Sequence, residues 1–419
     1  MLSIDGTFLT GKYKGTLLVA IASDANNQLL PIAYALVESE NKDSWLWFLC
    51  CLKMGVVKNR PDVCIISDRN TGLLSALEIV KVSTDPEWGW PDLETRWCMR
   101  HLAANFYSKF KNKDWFKLFK RMCMQKTSAK MNAIWSGINA EIERAALPQR
   151  QGLVYNLSSW IADHCPDLTK WAQAHDTGAR YGIMTSNMSE VYNGVLKGVR
   201  ALPITALIIE TWNRTLTYFA DRVQVANARS LMNKPWSEKM QRHLDEKAVK
   251  SQSHGFLHIV ALRNKWQINV RAKYVKGHHR GARKHAVTLG PNACDCTCNK
   301  PILLGYPCSH VIKAAVVQEI SVDNYISPYF NTHNLLNTWN GEFWAWGLDG
   351  HYRDMWPDRE KIWVPDPTLK RTAKGRRQSR RHRNDMDHSQ SGEPRRCRVC
   401  RCPGHARREC PYRSNNNPA

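Results

Sequence analysis

Cys296, Cys298, Cys308 and His310 follow the pattern C-x-C-x9-C-x-H. Zinc takes four soft or borderline donors in a tetrahedron. A C-x-C pair supplies two from one strand or knuckle, and a C-x-H pair supplies two more where a helix begins. Buried free thiols are the competing account. Cys397, Cys400, His405 and Cys410 follow C-x2-C-x4-H-x4-C. That stretch is too short to own a core and folds only around a metal. Two structural Zn²⁺ sites are therefore expected. Carboxylates supply the other chemistry. Asp5 is the only charge in Leu2–Phe8, and Asp68 ends the apolar run that starts at Val63. A carboxylate in such a strand must be paired, solvated at an edge or bound to a metal. Two adjacent ones repel unless a cation sits between them, and Mg²⁺ favours that kind of oxygen site.

The elements that must position these groups follow from the apolar pattern. Leu2–Phe8, Thr16–Ser23 and Leu29–Val37 read as three strands of a meander, with Asp24–Gln28 as turn chemistry. Leu17 to Ala22 is too continuous for a strand with one wet face, so it is expected to be covered on both. Lys42–Val57 puts Trp45, Phe48, Leu49 and Leu52 on one helix face. A fourth strand parallel to the first, reached through that crossover helix, brings Asp5 and Asp68 together. The alternative for Asp68 is a cap on a helix over Asn70–Val80.

Glu190 has two readings. Asn187 followed by Glu190 makes a capping box. The helix then continues with Val191, Val195, Val199 and Leu202 as its stripe. Glu190, Gly194, Gly198 and Ala201 share another face, and two helical glycines cost about 1 kcal/mol each. The cost is reasonable if that face lies very close to another backbone, which would lay Glu190 against the sheet near Asp5 and Asp68. Cys98 and His101 are either half of a metal site or a buried thiol beside a satisfied histidine. Between Lys109 and Arg180, amphipathic faces such as Trp115, Leu118, Phe119 and Met122 predict a block of helices broken at Pro148 and Pro166. Alternation in Trp266–Tyr274 and Ala286–Leu289 predicts strands ahead of the cysteines.

Ile4-Asp5-Gly6-Thr7-Phe8, Gly15–Ala20, Pro31–Ala35 and Trp45–Leu49 resemble plant Mutator-like (MULE) transposases. So does Thr185-Ser186-Asn187 with Glu190, the segment that carries the third acidic residue in that family. The C-x-C-x9-C-x-H set, with Gly-x-Pro-Cys-Ser-His, resembles the SWIM zinc finger that follows the transposase core in the family. The family's tryptophan after the second cysteine is absent, Pro301 stands nearby, and Cys294 is a rival ligand. The last cysteine set has the spacing of a CCHC zinc knuckle. The resemblance implies an α/β fold: an RNase-H-like core with a helical insertion, then a small SWIM zinc module and a mostly disordered basic tail with a knuckle. It implies that Asp5, Asp68 and Glu190 are a catalytic triad using Mg²⁺ or Mn²⁺. The implied layout is residues 1–108 for the first part of the core, 109–180 for the insertion, and 181–225 for core completion. Residues 226–330 hold the SWIM region, with the finger at about 285–321. Residues 331–368 are Trp-rich, 369–396 a basic linker and 397–410 the knuckle. The family places a DNA-binding domain before the core. Here the core begins at residue 2, so that domain is expected to be missing.

The chain of 419 residues carries a net charge of +23, which points to a polyanionic partner, DNA above all. From Lys370 to Ala419, 15 Lys and Arg face 4 Asp and Glu. Such an arm neutralises phosphates without reading bases, and it also reads as a nuclear localisation signal or a solvated linker. The knuckle is expected to take single-stranded nucleic acid or protein. An active transposase is expected to be a homo-oligomer. No apolar run approaches the roughly 18 residues of a membrane helix, and Met1–Asp5 reads as no signal peptide. A reducing, nuclear setting is expected. The rival function is a domesticated, non-catalytic DNA-binding transcription regulator, and a zinc-dependent scaffold is a third reading.

Overall fold

The structure, a computed structural model, describes residues 1–146, 154–260, 264–275 and 278–341. The knuckle, the basic linker and the tryptophans beyond Trp339 lie outside the described residues. The fold is mixed α/β.

Strands β1 (Leu2–Phe8), β2 (Thr16–Ser23) and β3 (Leu29–Val37) form the expected antiparallel meander. All eight residues of β2 are buried. Leu18, Ala20 and Ala22 pack toward one face, while Leu17, Val19 and Ile21 pack toward the other. The unbroken apolar run thus reflects cover on both sides. Pro31 sits on the edge strand β3, where its missing N–H is tolerated, beside a register shift opposite Ala20 and Ile21.

Helix α1 (Lys42–Leu52) is capped by the side chain of Asn41 and buries Trp45, Phe48, Leu49 and Leu52. The chain then runs through β4 (Cys64–Ser67), α2 (Thr71–Val82) and β5 (Glu94–Trp97). Strand β4 is parallel to β1, with Leu2 opposite Ile65, and β5 is parallel to β4. The sheet order is β3-β2-β1-β4-β5. Helices α1 and α2 cover the Leu18 face.

Four helices follow: α3 (Met99–Phe110), α4 (Lys113–Cys123), α5 (Ser128–Ala146) and α6 (Leu157–His164). In their shared core Phe119 stacks on Phe106 and Trp171 and meets Trp160 edge-on. A buried ion cluster ties the segment after α6 to β5. Asp176 accepts from Arg96 Nε at 2.9 Å and lies 3.4 Å from Arg180 Nε.

Helix α7 (Asn187–Val195) is shorter than expected. It gives way to a 3-10 turn at Val199–Ala201, and α8 (Ile204–Leu231) begins after Pro203. Glycines at 194 and 198 favour that break. Tyr192, Leu196 and Val199 cover the Leu17 face of the sheet, whereas Val191 is exposed. The buried face therefore differs from the predicted stripe. Helix α9 (Glu238–Gln252) leads into a second sheet of β6 (His254–Val260), β7 (Lys265–Val270), β10 (Arg283–Leu289) and β11 (Cys294–Cys296), ordered β11-β10-β7-β6. A separate hairpin pairs β8 (Lys273–Val275) with β9 (His278–Arg280). Helices α10 (Lys300–Leu304), α11 (Ser309–Val317) and α12 (Thr332–Trp339) complete the described residues. Trp339 packs among Ala226, Met240 and Phe330. It lies 4.9 Å from the Phe219 ring on α8 and donates to Asp24 Oδ2 in the β2–β3 turn.

Candidate acidic site and zinc centre

Asp5 sits midway along β1, opposite Val19. Asn193 on α7 donates to its Oδ2 at 2.8 Å. Asp68 follows the end of β4, and its Oδ1 accepts the backbone N–H of Asn70 at 3.0 Å. The cap of α2 is Asn70, whose side chain accepts from the N–H of Leu73, so Asp68 is not spent on capping. Burial first, then the negative charge of Asp68, pushes the Asp5 carboxyl up to about 7. His101 pulls the other way, and Glu40 and Glu190 add to the rise. Two strands and α7 therefore gather Asp5, Asp68 and Glu190 into one electrostatic neighbourhood.

The reason Glu190 arrives there differs from the expected one. A Cβ on Gly194 or Gly198 would meet nothing within 4 Å, so neither glycine makes a close approach. The docking groups are Ser189 and Asn193, one turn apart on α7. Ser189 Oγ lies 2.9 Å from Ser3 Oγ on β1, and Asn193 holds Asp5. Nor does a capping box form. Glu190 Oε2 accepts from Arg100 Nη1 at 2.8 Å, and Asn187 Oδ1 accepts from the same nitrogen.

Three members of the site carry little sequence signal. Glu40, just ahead of α1, accepts from Trp45 Nε1 and presses its carboxyl on the backbone of Gly6. A Cβ on Gly6 would stand 2.9 Å from the Glu40 carboxyl carbon. Burial, then Asp68, pushes the Glu40 carboxyl up. The glycine directly after Asp5 was the available clue, since a strand glycine marks close approach. Arg100 and Asn193 had none.

Cys98, at the N-terminus of α3, accepts the N–H of Ser186 at 3.3 Å. Its thiol, His101 and Glu190 bring their donor atoms within 4.8 Å of one another. Burial works against the Cys98 thiolate, but His101 and Ser186 outweigh it and hold the thiol below its usual value. His101 rises to about 9: burial lowers it, while Cys98, Asp68 and Glu190 raise it more. The two residues thus favour each other's charged forms, and both lie against Glu190.

Asp5, Asp68, Glu40 and Glu190 are half-buried and feel one another's charge, and Glu190 Oε1 has no hydrogen-bond partner. Among the described residues the donor atoms that lie within 4.8 Å of one another here are those of Cys98, His101 and Glu190, not those of the three carboxylates. Carboxylate oxygens suit Mg²⁺ or Mn²⁺.

The zinc centre is local in sequence. Cys296 ends β11, Cys298 follows before α10, Cys308 caps α11, and His310 lies in its first turn. All four are buried, and their donor atoms lie within 4.8 Å of one another. His310 Nδ1 is 3.5 Å from Cys296 Sγ and 3.6 Å from Cys308 Sγ. Zn–S and Zn–N bonds of about 2.3 and 2.0 Å at a tetrahedral angle put sulfur and nitrogen about 3.5 Å apart. The set therefore matches Zn²⁺ ligation through Nδ1. Cys294 lies outside these four. Between the two pairs, Gly305 turns the chain with φ +72°, and a Cβ there would strike the Tyr181 ring at 2.8 Å. The second cysteine set, Cys397, Cys400, His405 and Cys410, lies outside the described residues.

No curated protein matches the chain. Two family models do: residues 1–105 match the MULE transposase domain and residues 285–317 the SWIM zinc finger. The first match contains Asp5, Asp68, Cys98 and His101, and the second contains the whole Cys3His set, while Glu190 lies in neither. Residues 1–105 are thus similar to MULE transposases, and residues 285–317 to SWIM zinc fingers.

Proposed function

We propose that the chain is a DDE transposase of the Mutator-like kind, cutting and joining DNA ends in the nucleus. The observation that carries this reading is that Asp68 and Glu190, on elements far apart in sequence, both act electrostatically on Asp5. The sheet order β3-β2-β1-β4-β5, with helices on both faces, supports an RNase-H-like core. A pair of Mg²⁺ or Mn²⁺ ions would supply activation of water or a 3′-hydroxyl and stabilisation of the leaving oxygen. Asp5, Asp68 and Glu190 would hold them. Asn193 keeps Asp5 in one orientation, and Arg100 does the same for Glu190. The Cys3His site has no open ligand position and acts structurally. Cys397, Cys400, His405 and Cys410 would hold a second zinc and touch single strands.

The test is strand cleavage of plasmid DNA with Mg²⁺ or Mn²⁺. Asp68→Asn should abolish cleavage and leave DNA binding nearly intact. Cleavage by the variant at the parent rate would end the assignment. One observation favours the second reading, a non-catalytic DNA-binding regulator: Glu190 Oε2 is taken up by an ion pair with Arg100 at 2.8 Å. A parent protein that binds DNA but cleaves none under any divalent ion would support it.

A further inference from the structure

A cleft of about 210 Å³ opens beside the zinc centre. Six cationic side chains line it among the described residues: Lys126 and Lys130 from the α4–α5 region, Lys250 on α9, Arg271 after β7, Arg283 at the start of β10, and Lys300 on α10. Cys298 and His310 form part of its wall, so the metal centre backs directly onto it. Among the described residues, no carboxylate lines it, and Lys126, Lys130, Arg271, Arg283 and Lys300 enter no ion pair.

The zinc centre does not account for this charge. Zn²⁺ with three thiolates and a neutral imidazole carries one net negative charge, against six cations. Like charges held together this way repel unless an anion lies among them. The cleft is also smaller than the roughly 300–1,000 Å³ of a small-molecule pocket. It has room for a phosphate and its sugar, with the rest of a polymer running past. Lysine and arginine from several elements around one open groove make a track for a phosphodiester backbone.

We infer that this cleft, between the four-helix block and the zinc module, binds the phosphates of a nucleic-acid strand. The assignment rests on the nucleic-acid-handling reading above but not on its catalysis. It places a phosphate-binding surface inside the folded part of the chain, where the sequence pointed only to the basic arm.

The test uses the full-length protein and fluorescence anisotropy with a labelled duplex and a labelled single strand, across a salt series. The variant Lys126→Ala/Lys130→Ala/Lys300→Ala should lose at least tenfold in affinity. Its log–log salt slope should flatten by about 0.9 per lost contact on duplex, or about 0.7 on single strand. The matching triple Lys→Arg variant should bind like the parent, and zinc content should be equal in all three. Asp68→Asn, run alongside, should keep the parent slope, which separates failure of this site from failure of the catalytic reading. Unchanged affinity and slope in a zinc-loaded alanine variant would overturn the inference. So would equal competition by polyglutamate, which would mark an acidic protein as the ligand.

Discussion

Replacing Asp5 by asparagine should stabilise the protein, even though Asp5 is proposed to be catalytic. The side chain is buried, and its carboxyl rises from an ordinary 3.8 to about 7. Its folded value lies above its unfolded one, so the folded chain keeps a proton that the unfolded chain releases between these limits. Stability then falls as pH rises from about 4 to about 7 and stays low above that. At about 1.36 kcal/mol per pH unit, the accumulated cost is about 4 kcal/mol. The asparagine side chain is isosteric and neutral, so it removes the cost. It still offers an oxygen to the N–H group of Asn193. The assay is thermal unfolding of parent and Asp5→Asn with zinc retained and no added Mg²⁺ or Mn²⁺, at pH 4.5 and pH 8. Groups common to both proteins, His101 among them, cancel in the difference to first order. The variant should melt several degrees above the parent at pH 8, with the gap closing toward pH 4.5. Adding Mg²⁺ at pH 8 should raise the parent and leave the variant nearly unmoved. A variant that is less stable at pH 8, or a gap that ignores pH, would refute the picture of carboxylates crowded at a cost that a cation relieves.

Cys308→Ser should lose one zinc by metal analysis and expose Trp266, whose fluorescence would report the loosened second sheet. Cys400→Ser should remove a different zinc without that optical change. Asp176→Ala leaves Arg96 and Arg180 as buried guanidiniums without their shared carboxylate, which should cost about 3–5 kcal/mol in denaturant unfolding. Cleavage, where measurable, should weaken only in proportion to the folded fraction.

What the sequence determined was whatever depends on neighbours along the chain. The four zinc donors lie in one short stretch, so their spacing specifies the site before any fold is known. The strands of the meander were legible because apolar runs between turn residues leave few other arrangements. The continuous run in β2 even told which strand would be covered on both faces. The glycine stripe misled for the same reason. It reads as a close approach to another backbone, yet Gly194 and Gly198 face open space, and α7 stops instead of continuing.

The tertiary structure decided which distant groups become neighbours. Glu40 joins the acidic neighbourhood because Gly6 has no side chain to keep it away. Glu190 and Asn193 arrive because Ser189 docks α7 on Ser3. Arg100 reaches Glu190 because α3 starts directly after β5. The cationic cleft draws one side chain after another from α5, α9, β10 and α10, none of which forms a motif with the next. Electrostatic energy depends on separation in space and on burial. Neither is a function of separation along the chain, so only packing could make these charges neighbours.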